Sequence, residues 1–120
     1  MNEDANPKDL VGIKKPRISL IPPASLIYQS LAMQDGAFKY GPYNFREKPV
    51  SMMIYLDAIL RHTLQVLDGE WLTEDSKIPH LSGILGSAGI IADAHETGNL
   101  LDDRPNPGAA TKLILEWTKK

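Results

Sequence analysis

The sequence predicts an all-α fold: a small bundle of about four helices behind an extended N-terminal arm. Three observations predict it. Apolar residues recur at helical spacing in four segments, prolines and glycines punctuate the gaps between them, and neither a strand alternation nor an internal repeat competes. With 120 residues, 42% hydrophobic and 23% charged, the chain has the composition of one globular domain that buries a real core.

The elements follow in order. Residues 1–15 are polar, lack a sustained period and read as a flexible lead-in, with residues 16–120 forming the single domain. Lys14-Lys15-Pro16-Arg17 is a small basic cluster, either a solvated tail or a phosphate-contacting arm. Ile18 to Pro22 reads as extended, because a residue before proline avoids the α region. Pro23 suits a first helical turn, and Leu26, Ile27, Leu31 and Phe38 set helical spacing up to Tyr40, where Gly41-Pro42 stops it. A turn follows to Pro49. A second helix, from about 50 to 68, places Met52, Met53, Leu56, Ile59, Leu60 and Leu64 on one side and Asp57, Arg61 and Gln65 on the other, with His62 at the edge.

A third helix spans about 77 to 97, with Ser76 as a candidate cap, Pro79 in the first turn and Gly98 as the stop. Gly83, Gly86 and Gly89 lie inside it, each costing roughly 1 kcal/mol relative to alanine, so something approaches that backbone closely: another helix or a flat ligand. His95 falls on its apolar face and reads as a packed histidine. After a Pro-rich loop, residues 109–120 are helical by pattern, with Leu113, Ile114 and Trp117 as the apolar stripe.

Composition excludes several classes. A formal charge of −2 gives no general attraction to nucleic acid. The absence of cysteine removes disulfides, zinc ribbons and thiol nucleophiles, so any metal would be a hard ion such as Mg²⁺ or Mn²⁺ held by carboxylates, histidines or carbonyls. No apolar run approaches the roughly 18 residues of a membrane span, and Met1-Asn2-Glu3-Asp4 has no leader-like character; the expected location is the cytoplasm. Walker, dinucleotide-binding, GxSxG and HExxH motifs are absent.

The short second-to-third helix connection predicts antiparallel packing, in which facing positions keep a constant index sum. Glu70 with His80 and Asp57 with Asp93 share one sum, so one register serves both pairs, about 20 Å apart at the helical rise. Asp57 and Asp93 are candidate metal ligands, Arg61 a candidate phosphate clamp and His62 a candidate proton carrier; the alternative is a solvated helix face with an i,i+4 ion pair. Glu70 and His80 are either further metal ligands or an interhelical pair. In the loop from Lys39 to Arg46, Lys39 and Arg46 suit phosphate, Asn44 suits a base edge, and Tyr40, Tyr43 or Phe45 can stack on a base; the alternative is a turn with packed aromatics.

Lys15-Pro16-Arg17, Leu20-Ile21-Pro22-Pro23, Gly36-Ala37-Phe38-Lys39-Tyr40-Gly41-Pro42-Tyr43-Asn44, Tyr55-Leu56-Asp57-Ala58, Arg61-His62, Asp68-Gly69-Glu70, His80-Leu81 and Asp102-Asp103-Arg104-Pro105 together resemble a small family common in bacteriophages. That family is named for dATP/dGTP diphosphohydrolase activity and is compared with MazG-like all-α nucleotide pyrophosphohydrolases. The resemblance spans roughly residues 15–105. It implies Mg²⁺- or Mn²⁺-dependent hydrolysis of a purine deoxynucleoside triphosphate to monophosphate and pyrophosphate, in a homo-oligomer (dimer or tetramer), in the host cytoplasm if phage-encoded. Within that reading, the register and loop chemistry above make Asp57, Arg61 and His62 the catalytic candidates, Lys39, Tyr40, Asn44 and Arg46 the substrate-binding candidates, and Asp57, Glu70, His80 and Asp93 the metal candidates. Many members read His-Leu-x-His where this chain has His80-Leu81-Ser82-Gly83. The competing functional reading is a non-catalytic helical module for self-assembly or protein interaction.

Overall fold

A computed structural model describes residues 6–119. The described chain is mainly helical. Short α1, Pro7–Gly12, starts at Asn6, whose side chain accepts from the Lys8 N–H at 2.9 Å. Residues 7–12 are therefore helical where the sequence showed no period; the cap and Pro7 suffice for one local turn. The rest of the predicted lead-in, residues 1–5, lies outside the described residues. Ile18–Leu20 forms a 3₁₀ turn closed by Ile21 N–H to Ile18 O at 3.0 Å, so only Ile21 and Pro22, each directly before a proline, are extended. All residues from 6 to 24 are exposed, in keeping with an arm.

Helix α2, Pro23–Tyr40, has the bounds its Pro and Gly-Pro signals predict. Gly41 turns the chain with φ +91°, Tyr43 takes a left-handed φ of 57°, and α3, Asn44–Glu47, is a single turn. Val50–Ser51 (β1) then pairs in parallel with Leu100–Leu101 (β2), Val50 opposite Leu100. Neither strand is legible in the sequence, because two residues are too few for alternation. The crossover between them is the α-hairpin of α4, Met52–Leu67, and α5, His80–Thr97. Ser51 caps α4 by accepting the Ile54 N–H, and Asp103 accepts the Met53 N–H at 2.8 Å, which gives the Asp102-Asp103-Arg104 stretch a structural use.

Helix α5 starts three residues later than predicted. Lys77 has φ +56°, and Thr73 pairs with Ile78 through both N–H to O (2.8 Å) and Ile78 N–H to Oγ1 (3.3 Å), which closes the loop before the helix can begin. Ser76 consequently faces α2 instead of capping α5.

The centre of the molecule is α5, packed between α2 and α4. Its glycines explain the packing. A Cβ on Gly86 would stand 3.0 Å from the Ala32 Cβ, and one on Gly89 would collide with the Gln29 amide, so α2 is the helix that approaches closely. The groove is filled from within the chain. The buried side chains among the described residues are few: Val50, Thr73, Pro79, His80, Ser82 and Ala94. His95 is a correction to the packed reading, for it is exposed beside Glu96, on the last turn of α5. Helix α6, Ala110–Trp117, has every residue exposed, so three helices pack where about four were expected.

Candidate active site

Helix α2 crosses α5 so that its Ala32, Met33, Gly36 and Tyr40, with Ile90 of α5, form a wall common to two cavities. One cavity, about 360 Å³, opens beyond the wall toward Ala37, Tyr43, Asn44, Phe45 and Tyr55. The other, about 300 Å³, is lined by Asp35, Lys39, His62, Asp75, Ser76 and Gly83 among others. Together they make one cleft with an aromatic end and a charged end.

The charged end is a tight cluster. Lys39 Nζ lies 2.9 Å from Asp35 Oδ2 and 3.5 Å from Asp75 Oδ2. Lys39 also donates to Ser76 Oγ at 3.2 Å, and Ser76 Oγ donates to Asp35 Oδ2 at 3.0 Å. The Asp35 hydrogen bond holds the Lys39 ammonium above its usual pKa. The Ser76 backbone N–H, with Lys39, holds the Asp75 carboxyl below its own. Lys39 thus bridges two carboxylates that would otherwise repel each other.

The aromatic end is set by backbone geometry. Tyr43 in the left-handed region turns its ring to Phe45, centroids 5.5 Å apart, and the Arg46 guanidinium sits 5.3 Å over the Tyr43 ring. Arg46 forks onto Asp93 of α5 with bonds of 2.8 and 2.7 Å, which raises the Arg46 pKa and lowers that of Asp93. Asn99 locks the same turn by donating to the carbonyls of Phe45 and Lys48, each at 2.6 Å. Burial pushes the Tyr55 phenol up.

The predicted site residues divide accordingly. Lys39, Tyr40 and Asn44 line the cleft, as does His62. Arg46 is spent on Asp93, beside the cleft. The Glu70–His80 contact anticipated from the helix register is present: His80 Nε2 lies 2.7 Å from Glu70 Oε1. His80 Nδ1 lies 2.8 Å from His62 Nδ1, so both its ring nitrogens are engaged and neither has a lone pair free for a cation. Asp57 and Arg61 are exposed on α4 and form none of the ion pairs among the described residues. Asp93 turns to Arg46, not to Asp57. No group of three or more His, Asp or Glu side chains capable of holding a metal gathers among the described residues.

Sequence reasoning missed Asp35 and the Asp35–Lys39–Ser76 contact. The i,i+4 spacing of Asp35 and Lys39 was a legible signal, but Ser76 joins them across 41 positions of chain. The His62–His80 contact was also missed. No helix among the described residues is long and apolar enough to cross a membrane.

A family model described as "dATP/dGTP diphosphohydrolase, N-terminal" matches residues 5–104. No curated protein and no solved structure matches the chain.

Proposed function

The chain belongs to the dATP/dGTP diphosphohydrolase family, and on that premise we propose that it hydrolyses purine deoxynucleoside triphosphates to the monophosphate and pyrophosphate. The observation that carries the reading is the shared wall between an aromatic cavity and a charged one. A purine base fits the aromatic end, where Asn44 can read its edge and the rings can stack on its face. The triphosphate then extends past Gly36 and Tyr40 to Lys39, which exchanges its carboxylate partners for phosphate oxygens.

Asp35 and Asp75 are the carboxylates suited to a Mg²⁺ or Mn²⁺ ion. They offer hard oxygen donors, with Ser76 Oγ alongside, and the Lys39 ammonium already balances their charge. Two carboxylates plus substrate phosphates are a common Mg²⁺ donor set. A cation there would neutralise the charge that develops on the phosphates. Water oxygen attacks the α-phosphorus, the bridging bond to the β-phosphate breaks, and pyrophosphate leaves. Phosphoryl transfer asks the protein chiefly for positioning and electrostatics, which this cleft offers.

Incubation with dGTP and Mn²⁺, with the products separated by ion exchange, tests the reaction. The expected products are dGMP and pyrophosphate. Inorganic phosphate with dGDP, or no turnover of dGTP or dATP, overturns it. Asp57→Ala is the companion variant, since it asks whether the exposed face of α4 contributes to turnover.

Assembly into a homo-oligomer belongs to the same proposal. The chain exposes 9806 Å², where a compact monomer of this length exposes about 6,400 Å². Its radius of gyration is 18.7 Å, against about 14 Å for a compact domain. The excess, roughly 3,000 Å² per chain, exceeds what each partner buries in a standard stable interface. Sedimentation at micromolar concentration is expected to give a dimer or larger; a single monomeric species overturns this part. The exposed Asp57, Arg61 and α6 also favour a second reading, a non-catalytic assembly module. An intact oligomer without turnover of any purine deoxynucleotide would select it.

A further inference from the structure

The pair of buried His80 and half-buried His62 is the chief polar feature of the interior, and positioning phosphates does not by itself require it. His80 is 2% exposed. Its Nε2 meets the Glu70 carboxylate at 2.7 Å and its Nδ1 meets His62 Nδ1 at 2.8 Å. A carboxylate only accepts, so His80 carries its proton on Nε2 and, when neutral, leaves Nδ1 bare. Two facing Nδ1 atoms need one proton between them. It belongs to His62, which is left with a bare Nε2. That atom lies against Gly83, where a Cβ would come within 2.6 Å of it, and both residues line the charged cavity.

Resting on the hydrolytic reading above, we propose that Glu70 acts through His80 to hold His62 with Nε2 bare, so that His62 takes the proton of the attacking water, and that Gly83 leaves the space this requires. The proton passes from water to His62 Nε2 as the oxygen bonds to the α-phosphorus, and returns to solvent after pyrophosphate has left. Glu70 and His80 are positioning residues; His62 is the group that meets the reacting atoms. The titratable and charged groups around His62 are His80 from α5, Arg61 on its own helix and Asp75 from the loop, with Asp35 and Lys39 of α2 lining the same cavity. Burial above all holds its pKa below the ordinary value, with Arg61 adding to it against the pull of Asp75. The ring is therefore neutral and able to accept at pH 7. The arrangement follows the logic of a carboxylate that fixes an imidazole tautomer, lengthened by one ring.

The tautomers are read directly from imidazole ¹⁵N shifts of the full chain at pH 7.5, without turnover. The expected result is Nε2–H on His80 and Nδ1–H on His62. Nε2–H on His62 overturns the proposal whether or not the protein hydrolyses dGTP. In kinetics, Glu70→Gln is expected to lower kcat on the order of 10- to 100-fold with KM unchanged. It should also move the acid limb of kcat to lower pH, because the carboxylate that favours the imidazolium is gone. Gly83→Ala should lower kcat similarly, since its Cβ displaces the His62 ring. Unchanged kcat and pH profile in both variants overturns the relay. If the wild-type chain turns over no purine deoxynucleotide, the hydrolytic reading fails and the proton-acceptor role falls with it, while the ¹⁵N shifts still decide the tautomer order.

Discussion

The two ends of the cleft are built by opposite means. The charged end is made of side chains from distant segments, Asp35 and Lys39 of α2 with Asp75 and Ser76 of the α4–α5 loop, held together by attraction between their groups. The aromatic end is made of neighbours in sequence, residues 40–45, held by backbone: Gly41 and Tyr43 at positive φ, with Asn99 bonded to the carbonyls at the end of the turn. The difference teaches a division of labour. A charge cluster can rearrange around an incoming phosphate, whereas a backbone-fixed aromatic turn presents a ready-made surface to a flat base. Chemistry and recognition are then separable by substitution.

The sharpest test of that division is Asp35→Ala. Removing this carboxylate should lower kcat on the order of 10²- to 10³-fold, leaving KM for dGTP within a few-fold and the fold intact. Steady-state kinetics beside a thermal melt checks it, and a loss confined to KM would erase the distinction. Gly86→Val strikes the seam under the charged end, where the Ala32 Cβ already leaves no room. Overpacking of about 2 kcal/mol is expected, a fall in melting temperature of about 5–10 °C. Phe45→Ala works at the other end: KM for dGTP should rise about tenfold with kcat unchanged, the size of one lost base–aromatic stack. A drop in kcat alone would show that the turn serves the chemistry as well.

The smallest effect is on pH. The folded carboxyls of Asp75, Asp93, Asp102 and Asp103 lie below their ordinary 3.8, and Asp102, hydrogen-bonded to Arg104, is held down to about 2. Depressed carboxyls stabilise the fold above their unfolded value, and that contribution drains away as the pH falls from 3.8 toward 2. His62, held below 6.5, adds a loss that begins as the pH drops through 6.5. Because Asp75, Asp102 and Asp103 are solvent-exposed, the change is modest. Melts from pH 7 to 2.5 should decline monotonically, and Asp102→Asn should flatten only the lowest part.

Much of the frame was legible from local signals. Pro23 and Gly41-Pro42 bound α2 correctly because steric rules act on neighbours. The constant index sum of an antiparallel hairpin put Glu70 against His80. It did not put Asp57 against Asp93, since Arg46, on a turn outside the hairpin, offers Asp93 a bidentate partner. Nor could periodicity place Ser76 and Asp35 together, because that depends on how α2 crosses α5 over Gly86 and Gly89. The three glycines were legible as a place of close approach. Which segment approached was a tertiary fact. His62 sat at the edge of its helical wheel and turned inward because Gly83 leaves a gap there.

The apolar stripe of α6 has a practical side. Leu113, Ile114 and Trp117 stand in water with no cover from the described remainder of the chain. Such a rod is expected to adsorb to resin, vessel walls and other apolar surfaces. A dilute preparation of this chain is therefore expected to lose molecules to the surfaces it touches.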